Sequence, residues 1–432
     1  MEMMVLASSE NTLLCIFIYC FRGGEQMKKI IAMLLAVAMV MGLCAVTAAA
    51  DDVTEVTLKV WAPQEDQANA DSWLQQMEAK FEEAHPEYKI TWKNEVCGED
   101  KAKDEVSKDP AAAADVYMFA NDQLGDLLAC QGIARLGGSY LEQVQNDNGQ
   151  AMVDSVTGTD GYVYGFPMAA NTWFCFYNKS VYTEDDVKSL ETMLEKGVVA
   201  FPTMNSWYLG AFFFADGATV FGPNGNDAAA GVVFGEDNGA AALEAVLSMV
   251  SNPNYRTDDA GLGNSGLKSG EVSAYFSGSW DYDGLKEALG DDLGACQLPT
   301  VTIGGEAKTL KSFAGSKAVG VNPNSKNMKA SMQFAAFLAS TEGQLLRYQV
   351  RSAIPVATAL AEDPAIASDI VAVAILNTIA NTSVLQPTLP EMANWWVPIE
   401  TLGRNIVSGE VNASNGADSL AKTLDVINNG GL

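Results

Sequence analysis

The run Tyr275 to Gly284, Tyr-Phe-Ser-Gly-Ser-Trp-Asp-Tyr-Asp-Gly, sets a tryptophan beside two acids just after a strand-like stretch. The flat face of the Trp280 indole suits the apolar C–H face of a pyranose ring, although taken singly such a residue is more often packed in a core. Two further aromatic clusters repeat the theme: Trp207-Tyr208 after a short apolar strand, and Trp395-Trp396 after Pro390. Asp281 and Asp283 admit a second chemistry. Glycoside hydrolysis uses two carboxylates, one protonating the leaving oxygen while the other attacks or activates water. No feature of the sequence puts one acid in an apolar pocket and the other in water, so carbohydrate binding is the stronger reading and secreted hydrolysis the alternative.

Other chemistries are poorly supplied. His85, the single histidine, lies in Glu-Glu-Ala-His-Pro at a predicted helix end, which leaves no second histidine for a zinc site and only a surface position for a Ser-His-Asp triad. Gly261-Leu262-Gly263-Asn264-Ser265-Gly266 has the spacing of a dinucleotide fingerprint, but it follows the polar stretch Arg256-Thr257-Asp258-Asp259 rather than a strand. Asn224, Asn226 and Asp227 fall in no calcium-loop pattern. No catalytic residue, metal or cofactor is therefore expected. Cys97, Cys130, Cys175 and Cys296 have no Cys-x-x-Cys spacing, and three pairings or free thiols are equally open.

The N-terminus reads as an export leader. Met27-Lys28-Lys29 opens a basic region, Ile30 to Leu43 is a short apolar core, and Ala48-Ala49-Ala50 is a small-residue cleavage signal. Residues 1–26 read as a start placed too early or as a long leader, since Arg22-Gly23-Gly24-Glu25 can be encoded by a purine-rich ribosome-binding run. Cys44 offers a lipid anchor, but Leu43 stands where a lipobox takes a small residue, so cleavage after Ala50 is preferred and the product is extracellular or attached to the cell envelope. The remaining chain suffices for two lobes with full cores. Its net charge stays at -28 because the leader holds three basic and three acidic residues. Such a surface lacks the basic footprint that nucleic acid or an anionic membrane requires.

The elements that must position these residues follow from periodicity. Val56 to Trp61 alternates as a strand, Ala70 to His85 carries Trp73, Leu74, Met77 and Phe81 at helical spacing, and Tyr88 to Trp92 is a strand again. Asp115 to Phe119 is a short apolar strand before a helix at 122–130. Two strand-like runs flank Pro167, and a second α/β region follows from Val198. It comprises a helix over 208–214, a Gly- and Asn-rich loop over 216–238, a helix over 239–250 and the strand before Trp280. A strand over 314–321 and an amphipathic helix over 329–338 lead into a helical C-terminal part.

The order of these features resembles the extracellular solute-binding proteins of the maltose/maltodextrin-binding type, the receptors of ABC importers. The residues that carry the resemblance include Lys59-Val60-Trp61, Asp115 to Asp122, Gly165-Phe166-Pro167-Met168-Ala169, Phe176-Tyr177-Asn178-Lys179, Ser277-Gly278-Ser279-Trp280, and Pro387 to Met392 before Trp395-Trp396. Each block is weak alone; their collinear order from about Leu58 to Leu432 is specific. The resemblance implies an α/β fold of two lobes, periplasmic-binding-protein-like (type II), with hinge strands between them. The expected first lobe is 53–168 plus 313–365 and the second 169–312 plus 366–432, with crossings near 169–170, 310–314 and 360–371. It further implies that Glu65, Asp66, Phe119 and Asp122 meet ligand from the first lobe. Trp207, Tyr208, Trp280 and Trp396 would supply aromatic faces, and Asn171 and Asn205 polar edges. The implied partners are an oligosaccharide, with α-glucan as first choice, and a membrane permease; the receptor would be a monomer. Departures bear on selectivity: Gln123 stands where the family has arginine, Phe119 where it has tryptophan, and Asn171 and Asn205 where the maltodextrin binder has glutamates.

Overall fold

The computed structural model describes residues 53–429. The leader segments 1–26 and 27–50, with Cys44, lie outside the described residues. Most of the chain, Val56–His85 with Ile90–Leu432, forms one compact unit. In the small remainder, the Thr54 N–H donates to the Glu87 carbonyl at 2.8 Å and Lys89 Nζ meets Glu55 at 2.8 Å.

Two separate sheets organise the fold. In the first, the strand order is Ser383–Leu385, Ser312–Val321, Val116–Ala120, Thr54–Ala62 and Tyr88–Val96, with Gly165–Asn171 also paired to Ser312–Val321. The Val116–Ala120 strand is buried throughout, as an apolar run sheathed on both faces must be. The helix Trp73–Ala84 packs its Trp73, Leu74, Met77 and Phe81 stripe inward, as the period predicts.

The second sheet runs Leu293–Cys296, Phe174–Asn178, Ala274–Ser277, Val199–Phe201 and Tyr255–Thr257. Period-two alternation splits the strand Phe174–Asn178, with Trp173 just before it, between two cores. Trp173, Cys175 and Tyr177 face one cluster, and Phe174 and Phe176 the other. The last three strands are parallel, so their carboxyl ends make one edge where the loops Pro202–Asn205, Asp258–Gly261 and Gly278–Asp281 emerge.

The chain leaves the first sheet at Asn171 and enters the second at Phe174; it returns through Leu310 into Ser312–Val321. The two passages are tied side by side: Thr172 Oγ1 meets Ser312 Oγ at 2.8 Å and donates to the Phe313 carbonyl at 2.8 Å. The third passage lies earlier than the 360–371 read from sequence. Ile354, Ala357 and Leu360 already pack with Phe174 and Phe176 of the second sheet, and the Ala170 N–H donates to the Ile354 carbonyl at 3.0 Å. Ile354, Ala357 and Leu360 therefore share a core with the second sheet, while Ala357 also bridges Asn148 and Thr358 Oγ1 donates to the Asp147 carbonyl. The stretch that follows the left-handed Ser352 has no helical periodicity and so carries no signal for that early turn.

The Gly- and Asn-rich loop contains a small hairpin, Thr219–Val220 with Val232–Val233. A second hairpin, Thr300–Ile303 with Glu306–Thr309, turns on Gly304 and Gly305 at φ 61° and 83°. Among the described residues no helix is long and apolar enough to cross a membrane.

Candidate functional site

Trp280 stands at the carboxyl edge of the second sheet. Its side chain is 56 % exposed, the most open aromatic side chain in the described structure. Gly278 explains how it lies there: a Cβ at that position would stand 2.1 Å from the indole, so the ring is folded back over a bare backbone. Beneath it, Asp281 accepts from Ser277 Oγ at 2.5 Å and from Tyr275 Oη at 2.9 Å, and Asn264 Nδ2 donates to Tyr275 Oη at 3.2 Å. The Gly-x-Gly-x-x-Gly run thus serves packing. Gly263 leaves room for the Tyr275 ring, and its N–H donates to Asp258 at 2.8 Å.

Trp207 faces Trp280 in a stacked arrangement, with ring centroids 6.2 Å apart and planes 30° from parallel. The pose has two anchors. Asn205 caps the helix Ser206–Ala215 by accepting from the Trp207 N–H at 2.9 Å, and the Trp207 indole N–H donates to Gln386 Oε1 at 2.8 Å. Gln386 is buried, and its N–H donates to the Ala314 carbonyl on the returning strand. Sequence reasoning did not find Gln386; a glutamine between helices carries no signal until the fold brings it to Trp207. Trp396 is half-buried and packs edge-on to Phe313 at 6.2 Å.

A cavity of about 400 Å³ is lined by the chain neighbours of both indoles, Asn205, Tyr208, Ser277 and Asp281, together with Asp258 and Asn264. Burial, and then the negative charge of Asp281, raise the Asp258 carboxyl above the usual carboxylate range. The Arg404 guanidinium at the rim is paired with Glu400. A cavity whose charged acceptors outnumber its cations suits a neutral ligand rich in hydroxyl donors and repels anions.

The first-lobe candidates divide. Glu65 is exposed on the single turn Gln64–Asp66, and Asp122 is half-buried on the turn Asn121–Gln123, its carboxyl raised by burial. Asn171 ends its strand opposite Gly315 and is half-buried. Asp66 does not face solvent. Its carboxylate is fully buried and takes Arg347 at 2.6 Å and Arg351 at 2.7 Å, with Glu99 on the other side of Arg347 at 2.6 Å. Phe119 is also fully buried, its ring filling the space left by Gly165. Tyr208 is buried against Trp173, ring centroids 4.7 Å apart, so it belongs to the core wall behind Trp207. Gln123 is buried too, accepting from the Lys103 N–H at 2.9 Å and donating to the Glu99 carbonyl at 2.8 Å, which accounts for an amide in place of an arginine. Asp283 is exposed on the next helix, whereas Asp281 is held by hydroxyls.

The family model of the bacterial extracellular solute-binding proteins matches residues 76–373. A maltooligosaccharide ABC transporter solute-binding lipoprotein of Streptococcus pneumoniae R6 is 27 % identical over 327 residues, covering 70 % of this chain and 74 % of the relative. A galactooligosaccharide-binding protein of Bacillus subtilis 168 is 26 % identical over 326 residues, covering 72 % and 76 %. A protein solved with acarbose superposes with a TM-score of 0.81 at 43 % identity, over 87 % of this chain and 99 % of its own.

Proposed function

Because the chain belongs to the bacterial extracellular solute-binding proteins, we propose that it is a carbohydrate receptor that hands an oligosaccharide of the α-glucan type to an ABC permease. The observation that carries this reading is the Trp207–Trp280 pair beside the acceptor-lined cavity. Indole faces cover the apolar faces of a sugar, and the carboxylates and amides around them accept from its equatorial hydroxyls. The ligand set proposed is Trp207, Trp280 and Trp396 with Asn171 and Asn205 from the second lobe and crossing strand, and Glu65 and Asp122 from the first. Asp66 and Phe119 act behind this surface as supports, and Tyr208 backs the cavity from the core wall. The two lobes close around the sugar by rotation at the tied passages, and the exported receptor works as a monomer.

A thermal-shift screen of the purified protein against malto- and galacto-oligosaccharides tests the reading, since a ligand of the folded state must raise the melting temperature. A shift with malto-oligosaccharides is expected; a shift with galacto-oligosaccharides alone moves the substrate class, and no shift with any sugar rejects the receptor. The sugar is expected to be recovered intact after long incubation. Release of shorter sugars, lost in Asp281→Asn, would favour the hydrolase reading instead.

A further inference from the structure

Cys175 and Cys296 stand directly opposite each other on neighbouring antiparallel strands of the second sheet, Phe174–Asn178 and Leu293–Cys296. Directly opposed residues in such a pair have Cα atoms about 4.5 to 5.5 Å apart, inside the roughly 4.4 to 6.8 Å that a disulfide spans. Opposed residues also share a face, and both thiols lie on the face that carries Trp173, Tyr177 and Leu298. The Cys175 thiol donates to the Phe176 carbonyl at 3.6 Å, and burial, with Cys296 as its neighbour, pushes the Cys175 thiol up. Their exposures differ: Cys175 is fully buried, Cys296 half-buried. Both are thiols in this structure.

We propose that this pair is a disulfide site, formed after export, that staples the two strands flanking the tied passages. Phe174–Asn178 receives the chain from the first passage, and Leu293–Cys296 sends it back through the hairpin to the second. The chemistry is thiol–disulfide exchange with a small-molecule disulfide as oxidant. The Cys296 thiolate attacks one sulfur of that oxidant and expels one small thiolate, leaving a mixed disulfide at the reachable position. The Cys175 thiol then gives up its proton to solvent, attacks Cys296 Sγ and expels the second small thiolate. The two cysteines are oxidised together by two electrons, and the oxidant is reduced to two thiols. The asymmetry of exposure enforces the order, because an oxidant that cannot reach Cys175 cannot cap it. Cys97 and Cys130 have no such partner opposite them in a sheet; Cys130 donates to the Leu127 carbonyl of its own helix.

The test treats the purified, reduced protein with oxidised glutathione, quenches with acid, alkylates the remaining thiols and maps peptides without reduction. The expected product is a Cys175–Cys296 linked peptide. The oxidised protein should also melt at least about 5 °C higher than the reduced one, because the bond closes a loop of well over a hundred residues in the unfolded chain. Dithiothreitol should reverse both changes, and Cys296→Ser should show neither. A Cys296 glutathione adduct with Cys175 left alkylatable, a pairing with Cys97 or Cys130, or a linked protein whose melting temperature is unchanged would each overturn the proposal.

Discussion

At the scale of single residues the structure separates exposed side chains such as Trp280 from those packed into the wall behind them. Trp280 is open and rests on a glycine, so Trp280→Ala should weaken sugar binding by roughly tenfold or more, the loss of a platform worth about 1 to 3 kcal/mol, with little change in unliganded stability. Tyr208→Ala makes the reverse pattern: calorimetric unfolding should show a loss of about 3 to 5 kcal/mol, since its ring sits on Trp173 in the core. Trp280 stood out in the sequence because the clusters Trp207-Tyr208 and Trp395-Trp396 repeat its theme, not because of the indole alone. The sequence did not separate Trp207 from Tyr208, since adjacent helical residues point about 100° apart and only the fold says which direction is core. Asp66 was misread for a similar reason: its partners Arg347 and Arg351 lie far along the chain.

Ionisable groups inside the first lobe give opposite pH signatures. Burial alone would raise the Glu99 carboxyl, but Arg347 and Lys317 outweigh it and hold the group at about 2. Its contribution is therefore present above the unfolded value near 4.3 and is lost as pH falls from there toward 2. Arg347→Met would leave buried Asp66 with Arg351 alone and Glu99 with Lys317 alone, and urea unfolding at neutral pH should show a loss of about 3 kcal/mol. Glu78 behaves the other way. Burial raises it to about 7 against the hydrogen bond from Asn94, so it is protonated in the fold and its contribution declines as pH rises from about 4.3 to about 7. Glu78→Gln keeps the acceptor and removes the charge. It should stabilise by about 1 kcal/mol or more in urea melts at pH near 8 and do nothing near pH 4; equal effects at both would reject the assignment.

At the scale of elements, the alternating and 3.6-periodic segments were readable, and so were short apolar strands such as Val199–Phe201, whereas a short half-buried one was not. The helix starting at Trp73 and the strands Thr54–Ala62 and Val116–Ala120 fall where periodicity put them. The three-residue strand Ser383–Leu385 is too short to show a period, yet it docks beside Ser312–Ala314 and so delivers Gln386 to Trp207. The joint between the sheets includes a hydroxyl pair, Thr172 with Ser312, that no pattern announces. Thr172→Val keeps the shape and removes the hydroxyl that serves Ser312 and the Phe313 carbonyl. Stability should fall by about 1 to 3 kcal/mol, and the dissociation constant for sugar should change while Trp280 fluorescence still responds; an unaltered constant would mean that the tie does not govern closure.

At the scale of the whole molecule, the two-sheet architecture was legible from the order of motifs, and the packing of Ile354 and Ala357 against the second sheet was not. Small-angle scattering should report a smaller radius of gyration with saturating malto-oligosaccharide than without; equal radii with a bound ligand would reject closure. The surface, at -28 net charge, keeps the receptor soluble. A last consequence concerns how such a molecule comes into being. The Ser312–Val321 strand is bonded to Val116–Ala120, Gly165–Asn171 and Ser383–Leu385 alike, so the first sheet stays open until the chain has been threaded past residue 321. The segment made first cannot finish its own core, and nonlocal pairing of this kind is slow. A nascent chain is thus kept by its own topology from completing its first core until most of it has been made.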